Sequence, residues 1–75
     1  MKGSENVAEK INMIKGYRVA CNITQEQMAK ELGVSDKTYA NMEFNKSFTL
    51  DQMKIFTKVI NVVEPTVKLE DIFFN

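Results

Sequence analysis

The sequence predicts an all-α fold of five helices in one small domain. Apolar residues recur at spacings of three and four along most of the 75-residue chain, which is the period of a helix with one buried face. Residues that favour helix starts, Thr24, Ser35 and Thr49, stand directly before three of these patterns. We therefore expect a single domain over residues 1–75, with a frayed start over about residues 1–4 and a loop over residues 63–68.

The first helix is predicted from about Glu5 to Ala20, with Asn6 as its N-cap. Asn22 is expected to end it in the left-handed conformation, which asparagine tolerates. Gly16 lies inside the helix and either faces solvent or allows a close backbone approach. The face that this helix buries is expected to carry Val7, Ile11, Ile14, Arg18 and Cys21.

Two short helices joined by a glycine turn form the centre of the chain. Thr24 with Gln27 three residues later is a capping box, and Gly33 can take the left-handed conformation that ends a helix. Ser35 then caps a second helix over about Asp36–Met42. A helix, a short turn at a glycine and a second helix make the helix-turn-helix pattern. The buried positions of the two helices are predicted to be Met28, Ala29, Leu32, Tyr39 and Met42.

This central stretch, TQEQMAKELGVSDKTYANME, resembles the helix-turn-helix of the Cro/CI (XRE-type) family of phage and bacterial repressors. A weaker likeness extends from about residue 11 to residue 71. The resemblance implies a five-helix, lambda-repressor-like DNA-binding domain, and a phage-like repressor that binds a palindromic operator in double-stranded DNA as a homodimer. The matching residues are Thr24, Gln25, Ala29, Gly33, Val34, Ser35, Thr38 and Glu43.

The outer face of the second motif helix is expected to read bases through Ser35, Asp36, Lys37 and Asn41. The amide of Asn41 can pair bidentately with adenine, and the Lys37 ammonium can donate to guanine or to a phosphate. Asp36 can accept from cytosine, and Ser35 can contact a base or the backbone. Ser-Asp-Lys is also a good exposed helix start on capping and charge grounds alone, so this alternative stays open.

Contacts to the DNA backbone follow from the resemblance, which places them at Gln25, Thr38, Asn45 and Lys46. Gln25 stands at a helix N-terminus, where backbone N–H groups favour a phosphate. Asn45 replaces the glycine that the family tends to have and is expected to take the left-handed turn. The proline that often follows in the family is missing.

Arg18 lies on the apolar face of the first helix, where an unpaired charge is costly. Glu43 is the best candidate partner, and family members commonly pair an arginine of the first helix with this glutamate. We therefore expect Arg18 and Glu43 to form a structural ion pair. Tyr39 is expected in the core rather than on a phosphate.

The last part of the chain is predicted to close the core. Thr49 caps a helix from about Leu50 to Val62, and a short helix follows over Leu69–Phe73. One of Phe73 and Phe74 is expected to complete the core, while the other is exposed or contacts a partner copy. A dimer contact at this end and core closure alone remain alternatives. The core face of the long helix is expected to carry Leu50, Met53, Phe56 and Ile60.

The net charge is zero, with ten basic and ten acidic residues, whereas many DNA-binding domains are basic. Either the lysines cluster on one face or the affinity for DNA is weak. The alternative to a DNA-binding repressor is a helix-turn-helix-shaped module that binds another protein, an antirepressor or an antitoxin-like partner. An acidic or apolar surface around Gln25, Lys37, Asn41 and Lys46 would favour that hypothesis.

Other classes of function are disfavoured by residues that the sequence lacks. There is no histidine, and the one cysteine, Cys21, is placed as a core residue, so no nucleophile–base pair is expected and the chain is not predicted to be an enzyme. No metal-ligand cluster, cofactor or small-molecule ligand is expected. No apolar run approaches the ~18 residues of a membrane span, and a single cysteine fits a reducing cytoplasm.

Overall fold

The computed structural model describes residues 12–74, which form five helices and no strand. This arrangement confirms the predicted all-α fold. Helix α2 packs against α3 and α4, and α5 closes the domain against α1 and α4. The helices are α1 (Met13–Ala20), α2 (Gln25–Leu32), α3 (Asp36–Asn45), α4 (Leu50–Val63) and α5 (Leu69–Phe73).

Helix α1 begins later than the apolar pattern predicts. Asn12 has extended backbone angles (φ −99°, ψ 99°), and its side-chain oxygen accepts a hydrogen bond from the Lys15 N–H at 3.1 Å. An extended N-cap cannot sit inside a helix, so one continuous helix from Glu5 to Ala20 is wrong. The predicted cap at Asn6 and the predicted core positions 7 and 11 lie outside the described residues, as does the expected frayed start.

The two motif helices have the predicted starts and the predicted turn. Thr24 and Gln27 form the capping box, with reciprocal hydrogen bonds of 2.8 and 3.0 Å. Gly33 is left-handed at φ 72°, and the Ser35 hydroxyl accepts from the Thr38 N–H at 3.1 Å. Asn22 is also left-handed, at φ 61°, as expected. A β-carbon added at Gly33 would be strained by the backbone conformation rather than by any neighbouring atom.

Helix α3 ends three residues later than predicted. Asn45 is still helical, and Lys46 takes the left-handed conformation at φ 56° that was expected at Asn45. The reversal is closed by the Ser47 N–H, which donates to the carbonyl of Met42 at 2.9 Å. Backbone pairing at the helix end therefore outweighs the intrinsic preference of asparagine for this conformation.

The core is centred on α2, α3 and α4. Four aromatic rings pack against one another there, edge-on or tilted. The ring of Phe48 contacts those of Tyr39, Phe56 and Phe73 at centroid distances of 6.2, 5.8 and 5.2 Å. Leu50 is 56% exposed, so its predicted place in the core is wrong. The first turn of α4 extends beyond the packed layer. The fully buried apolar residues include Met28, Tyr39, Phe56 and Ile60.

The chain end divides its two phenylalanines as predicted. Phe73 packs on Phe56 at 5.5 Å between ring centroids, whereas Phe74 is 63% exposed. The loop before α5 is held by the Asn61 amide, which donates to the carbonyl oxygens of Glu64 and Val67 at 3.0 and 2.8 Å.

Gly16 faces solvent, because a β-carbon built there meets no atom within 4 Å. The alternative of a close backbone approach at this position is therefore wrong. Among the described residues, no helix is both long and apolar enough to cross a membrane.

Candidate nucleic-acid interface

A buried ion pair joins α1 to α3. Arg18 Nε donates to Glu43 Oε2 at 2.6 Å, and Arg18 Nη2 donates to Glu43 Oε1 at 3.1 Å. The two side chains are only 8% and 3% exposed. Arg18 Nη1 also donates to the carbonyl of Ile23 at 2.7 Å, so the guanidinium is satisfied on both edges. The structure therefore contains the pair that the apolar position of Arg18 required.

The Glu43 carboxylate accepts two further hydrogen bonds. The Tyr39 hydroxyl donates to Oε2 at 2.7 Å, and Gln25 Nε2 donates to Oε1 at 3.0 Å. The Asn12 amide reaches the backbone carbonyl of Glu43 at 2.9 Å. These residues, Asn12, Arg18, Gln25, Tyr39 and Glu43, are called the Glu43 cluster below. They fix α1, the first turn of α2 and α3 relative to one another.

The charges of the Glu43 cluster are stabilised in their ionised forms. Burial acts to raise the pKa of Glu43, but the hydrogen bonds from Arg18, Tyr39 and Gln25 outweigh burial and lower that pKa below its ordinary value. The hydrogen bond to Glu43 raises the pKa of Arg18. Burial, and then the hydrogen bond to Glu43, raises the pKa of the Tyr39 phenol, so the hydroxyl stays a donor. Tyr39 is fully buried, in agreement with its predicted core position.

The outer face of α3 carries the predicted base-reading residues. Asp36, Lys37 and Asn41 are exposed, and Lys37 and Asn41 are four residues apart, so they share one face of the helix. Ser35 is also exposed, but its hydroxyl caps the helix and donates to Thr38 Oγ1 at 3.0 Å. The hydroxyl of Ser35 is therefore occupied by the helix start, which is the alternative that the sequence left open for this residue.

An open groove of about 1050 Å³ runs between α1 and α3. We call it the α1–α3 groove. Three of the eight predicted DNA-contact residues, Gln25, Asn41 and Lys46, meet there. The other five do not line the groove: Ser35, Asp36, Lys37, Thr38 and Asn45. The lining residues of the groove are Asn12, Lys15, Gly16, Val19, Gln25, Ala40, Asn41, Glu43, Phe44 and Lys46.

Comparison with known proteins places this geometry in a family. A family model described as helix-turn-helix matches residues 14–67, which is more than half of the chain. The chain belongs to this helix-turn-helix family. An uncharacterized HTH-type transcriptional regulator of Methanocaldococcus jannaschii is 40% identical over 62 residues, covering 83% of this chain and 88% of the relative. No solved structure matches the chain. The resemblance to the Cro/CI (XRE-type) helix-turn-helix proteins is thus confirmed.

Charge is distributed unevenly over this helix-turn-helix domain. The candidate interface, taken as the predicted base and backbone residues together with Lys15, holds three lysines and one acid, Asp36. The other described charges, outside the Arg18–Glu43 pair, are four lysines and six acids. By this count the candidate interface carries an excess of two positive charges, although the net charge of the whole chain is zero.

Sequence reasoning assigned no site role to Asn12, Lys15, Val19 or Phe44, all of which line the α1–α3 groove. Lys15 and Val19 are four residues apart on α1 and lie off its buried face, so a helical projection would have grouped them. Phe44 is 83% exposed although it is large and apolar. The sequence did contain a signal that Phe44 is exposed. Tyr39 and Met42 mark the buried face of α3, and Phe44 does not fall on that face.

Proposed function

We propose that this chain is a sequence-specific DNA-binding transcriptional regulator, a phage- or prophage-type repressor that binds a palindromic operator as a homodimer. The observation that carries the proposal is the exposed polar face of α3, held rigidly by the buried Glu43 cluster. A helix that reads base edges must keep its side chains in a fixed register with the DNA. The family membership and the lysine-rich interface point to the same ligand.

In this proposal α3 enters the major groove. Asn41 pairs with adenine and Lys37 donates to guanine, because amide and ammonium groups at exposed helical positions suit those acceptors. Asp36 accepts from cytosine. Because the Ser35 hydroxyl already donates to Thr38, a contact from Ser35 to DNA uses its remaining lone pair as the acceptor for a base amino group. The distance along α3 from Ser35 to Asn41 is roughly 9 Å, which corresponds to about three base pairs.

The backbone of the operator is held on both sides of α3. Gln25 offers the second hydrogen of its amide, since Glu43 already accepts the first and so fixes the direction of the group. Lys46 contacts a phosphate beyond the C-terminal end of α3, with Asn45 beside it and Thr38 near the N-terminal end. Phosphate contacts of this kind set the position of a protein on the duplex, and base contacts then give specificity.

A homodimer matches the twofold symmetry of a palindromic operator. Phe74, Val62 and Val63 support a contact at the C-terminal end, since they are 63%, 84% and 50% exposed. Phe73 completes the core beside them. Occupancy of two half-sites by one dimer would block a promoter in the cytoplasm, and the proposal requires no cofactor, membrane or small-molecule ligand.

The test is binding to promoter-proximal DNA of the protein's own gene neighbourhood, followed by fluorescence anisotropy over a salt series with random duplex as competitor. We expect tight binding to one site, a steep negative salt slope and a large preference over random DNA. Footprints one helical turn apart would support the dimer.

Two variants separate base reading from backbone contact. Asn41→Ala should lose about 1–3 kcal/mol at one operator position, whereas Lys46→Ala should weaken binding to all sequences equally. Uniform weakening by Asn41→Ala would refute its base-reading role. Weak binding of the wild type without preference at any salt would instead favour the protein-interaction module, and a pull-down would then identify the partner.

A further inference from the structure

Phe44 is an unusual residue for the surface of a small domain. Its side chain is 83% exposed on the last turn of α3, where it lines the α1–α3 groove. Val19, 53% exposed, lines the same groove from α1. Gly16 and Ala40, which also line the groove, have little or no side chain to fill it. Exposed apolar side chains that share one concave surface are typical of a binding site rather than of a folded core.

Positive charge flanks this apolar surface. Lys15 comes from the first turn of α1, and Lys46 from the left-handed residue that follows α3. The one acidic lining residue is Glu43, whose carboxylate is 3% exposed and accepts four hydrogen bonds, two of them from Arg18. The groove therefore combines free cations and apolar carbon with no exposed carboxylate among its described lining residues.

A strand of DNA has the matching chemistry, because anionic phosphates alternate along it with deoxyribose rings whose faces are mostly carbon. An acidic peptide is the other candidate, because an apolar surface beside Gln25, Asn41 and Lys46 is also the feature expected of a protein-binding module. DNA is favoured here because the groove is continuous with Asn41 and Gln25, to which the proposed function assigns a base and a phosphate. A duplex that places a base on Asn41 would have the strand beside that base next to this surface, since Asn41 lines the groove.

We infer that one sugar–phosphate strand of the operator lies in the α1–α3 groove. Lys15 and Lys46 hold phosphates at its two sides, and Phe44 and Val19 pack against the deoxyribose between them. The inference rests on the proposed function and adds α1 to the DNA contacts. Asn12 positions Lys15, because its side chain caps the first turn of α1 and also donates to the Glu43 carbonyl.

The charge contact is tested with Lys15→Gln and a matched control, Lys58→Gln, which removes an exposed lysine of α4 away from the groove. Lys15→Gln should reduce the slope of log affinity against log salt by about 0.9, the value for one phosphate, and Lys58→Gln should leave it unchanged. Replacing the contacted phosphate by a single neutral methylphosphonate should lower the affinity of the wild type for the duplex. The same replacement should not lower the affinity of Lys15→Gln any further.

The apolar contact is tested with Phe44→Ala against Leu50→Ala, which truncates an apolar side chain that is 56% exposed and lies outside both the groove and the proposed dimer contact. Phe44→Ala should lower operator affinity about fivefold, with the salt slope and the preference among operator sequences unchanged. Gly16→Leu, which fills the groove from an exposed helical position, should weaken operator binding without unfolding α1.

The outcomes separate this inference from the proposed function. If the wild type binds its operator but Lys15→Gln and Phe44→Ala bind like their controls, the strand does not lie in the groove and the inference fails alone. A loss by Phe44→Ala at one base pair only would place its ring on a base rather than on a sugar, and would also overturn the inference. If the wild type shows no preference for any DNA, the proposed function fails and the inference fails with it.

Discussion

Removing one partner of the Arg18–Glu43 pair should nearly unfold the domain. Arg18→Met leaves the Glu43 carboxylate buried at 3% exposure without its cation, and Glu43→Leu leaves the guanidinium buried in the same way. Breaking a buried pair from one side costs about 3–5 kcal/mol. A domain of this size has a free energy of unfolding of roughly 3–5 kcal/mol, so each single variant should be close to its midpoint of unfolding in water at 25 °C.

The double variant, Arg18→Met with Glu43→Leu, should be more stable than the less stable single variant by about 2 kcal/mol or more, because no uncompensated ion remains. It should still be less stable than the wild type. The buried Tyr39 hydroxyl and the Gln25 amide would lose their acceptor, at about 1–3 kcal/mol for a buried group left unpaired.

Urea unfolding followed by circular dichroism at pH 7 measures all four proteins, with sulfate added equally to each to bring the single variants into range. Glu26→Leu is the control, since Glu26 is an exposed carboxylate on α2 and its loss should change stability by no more than about 0.5 kcal/mol. Single variants that each cost under about 1 kcal/mol and add in the double would refute a buried, coupled pair.

Three smaller predictions test neighbouring features. The pKa of Glu43 lies below its ordinary value, so the ionised carboxylate should stabilise the fold fully above the unfolded-state pKa of about 4.3 and lose this effect as the pH falls through the folded-state pKa. Glu43→Gln should remove this part of the acid dependence of the urea midpoint. An unchanged acid dependence in Glu43→Gln would contradict the assignment. Tyr39→Phe should cost about 1.5–3 kcal/mol through its lost hydrogen bond to a charged group, and a neutral effect in thermal unfolding would argue against that bond. Gly33→Ala should destabilise by about 1 kcal/mol at its positive φ, whereas Gly16→Ala should stabilise by about 0.5–1 kcal/mol; equal melting shifts for the two would disprove the reasoning.

Local signals explain what the sequence predicted well. The starts of α2, α3 and α4 follow from Thr24, Ser35 and Thr49, each of which accepts a hydrogen bond from the N–H three residues later. Gly33 and Asn22 mark helix ends for the same reason, because backbone preference at a single residue decides them. Such features depend on contacts within about four residues, which a sequence displays directly.

Features decided over longer distances were predicted less well. The break at Asn12 was hidden by an apolar period that continues across it, and the left-handed residue moved from Asn45 to Lys46 because of pairing with Met42. The Arg18–Glu43 pair was predicted from the cost of an unpaired charge on an apolar face. The hydrogen bond from the Tyr39 hydroxyl to Glu43 was not predicted, because a core position does not determine where a tyrosine hydroxyl points.

The candidate interface divides in the same way. The outward positions of α3 follow from helical period alone, whereas the α1–α3 groove needs the crossing of two helices whose contacting residues are 25 or more positions apart. Helical period could group Lys15 with Val19 on α1, but that these two residues lie across a groove from Phe44 follows only from the crossing.

Side chains from three helices donate hydrogen bonds to the Glu43 carboxylate, and this arrangement also determines which parts of the domain can open locally. If α1 detached by itself, it would expose half of the buried Arg18–Glu43 pair and leave the other half uncompensated, so that opening should require nearly the full free energy of global unfolding. Amide protons of α1 and α3 should therefore exchange with solvent through one cooperative event. Helix α5, five residues long and anchored mainly by Ile72 and Phe73, can open alone at lower free energy. The helix proposed to contact bases would keep its orientation while the chain end fluctuates.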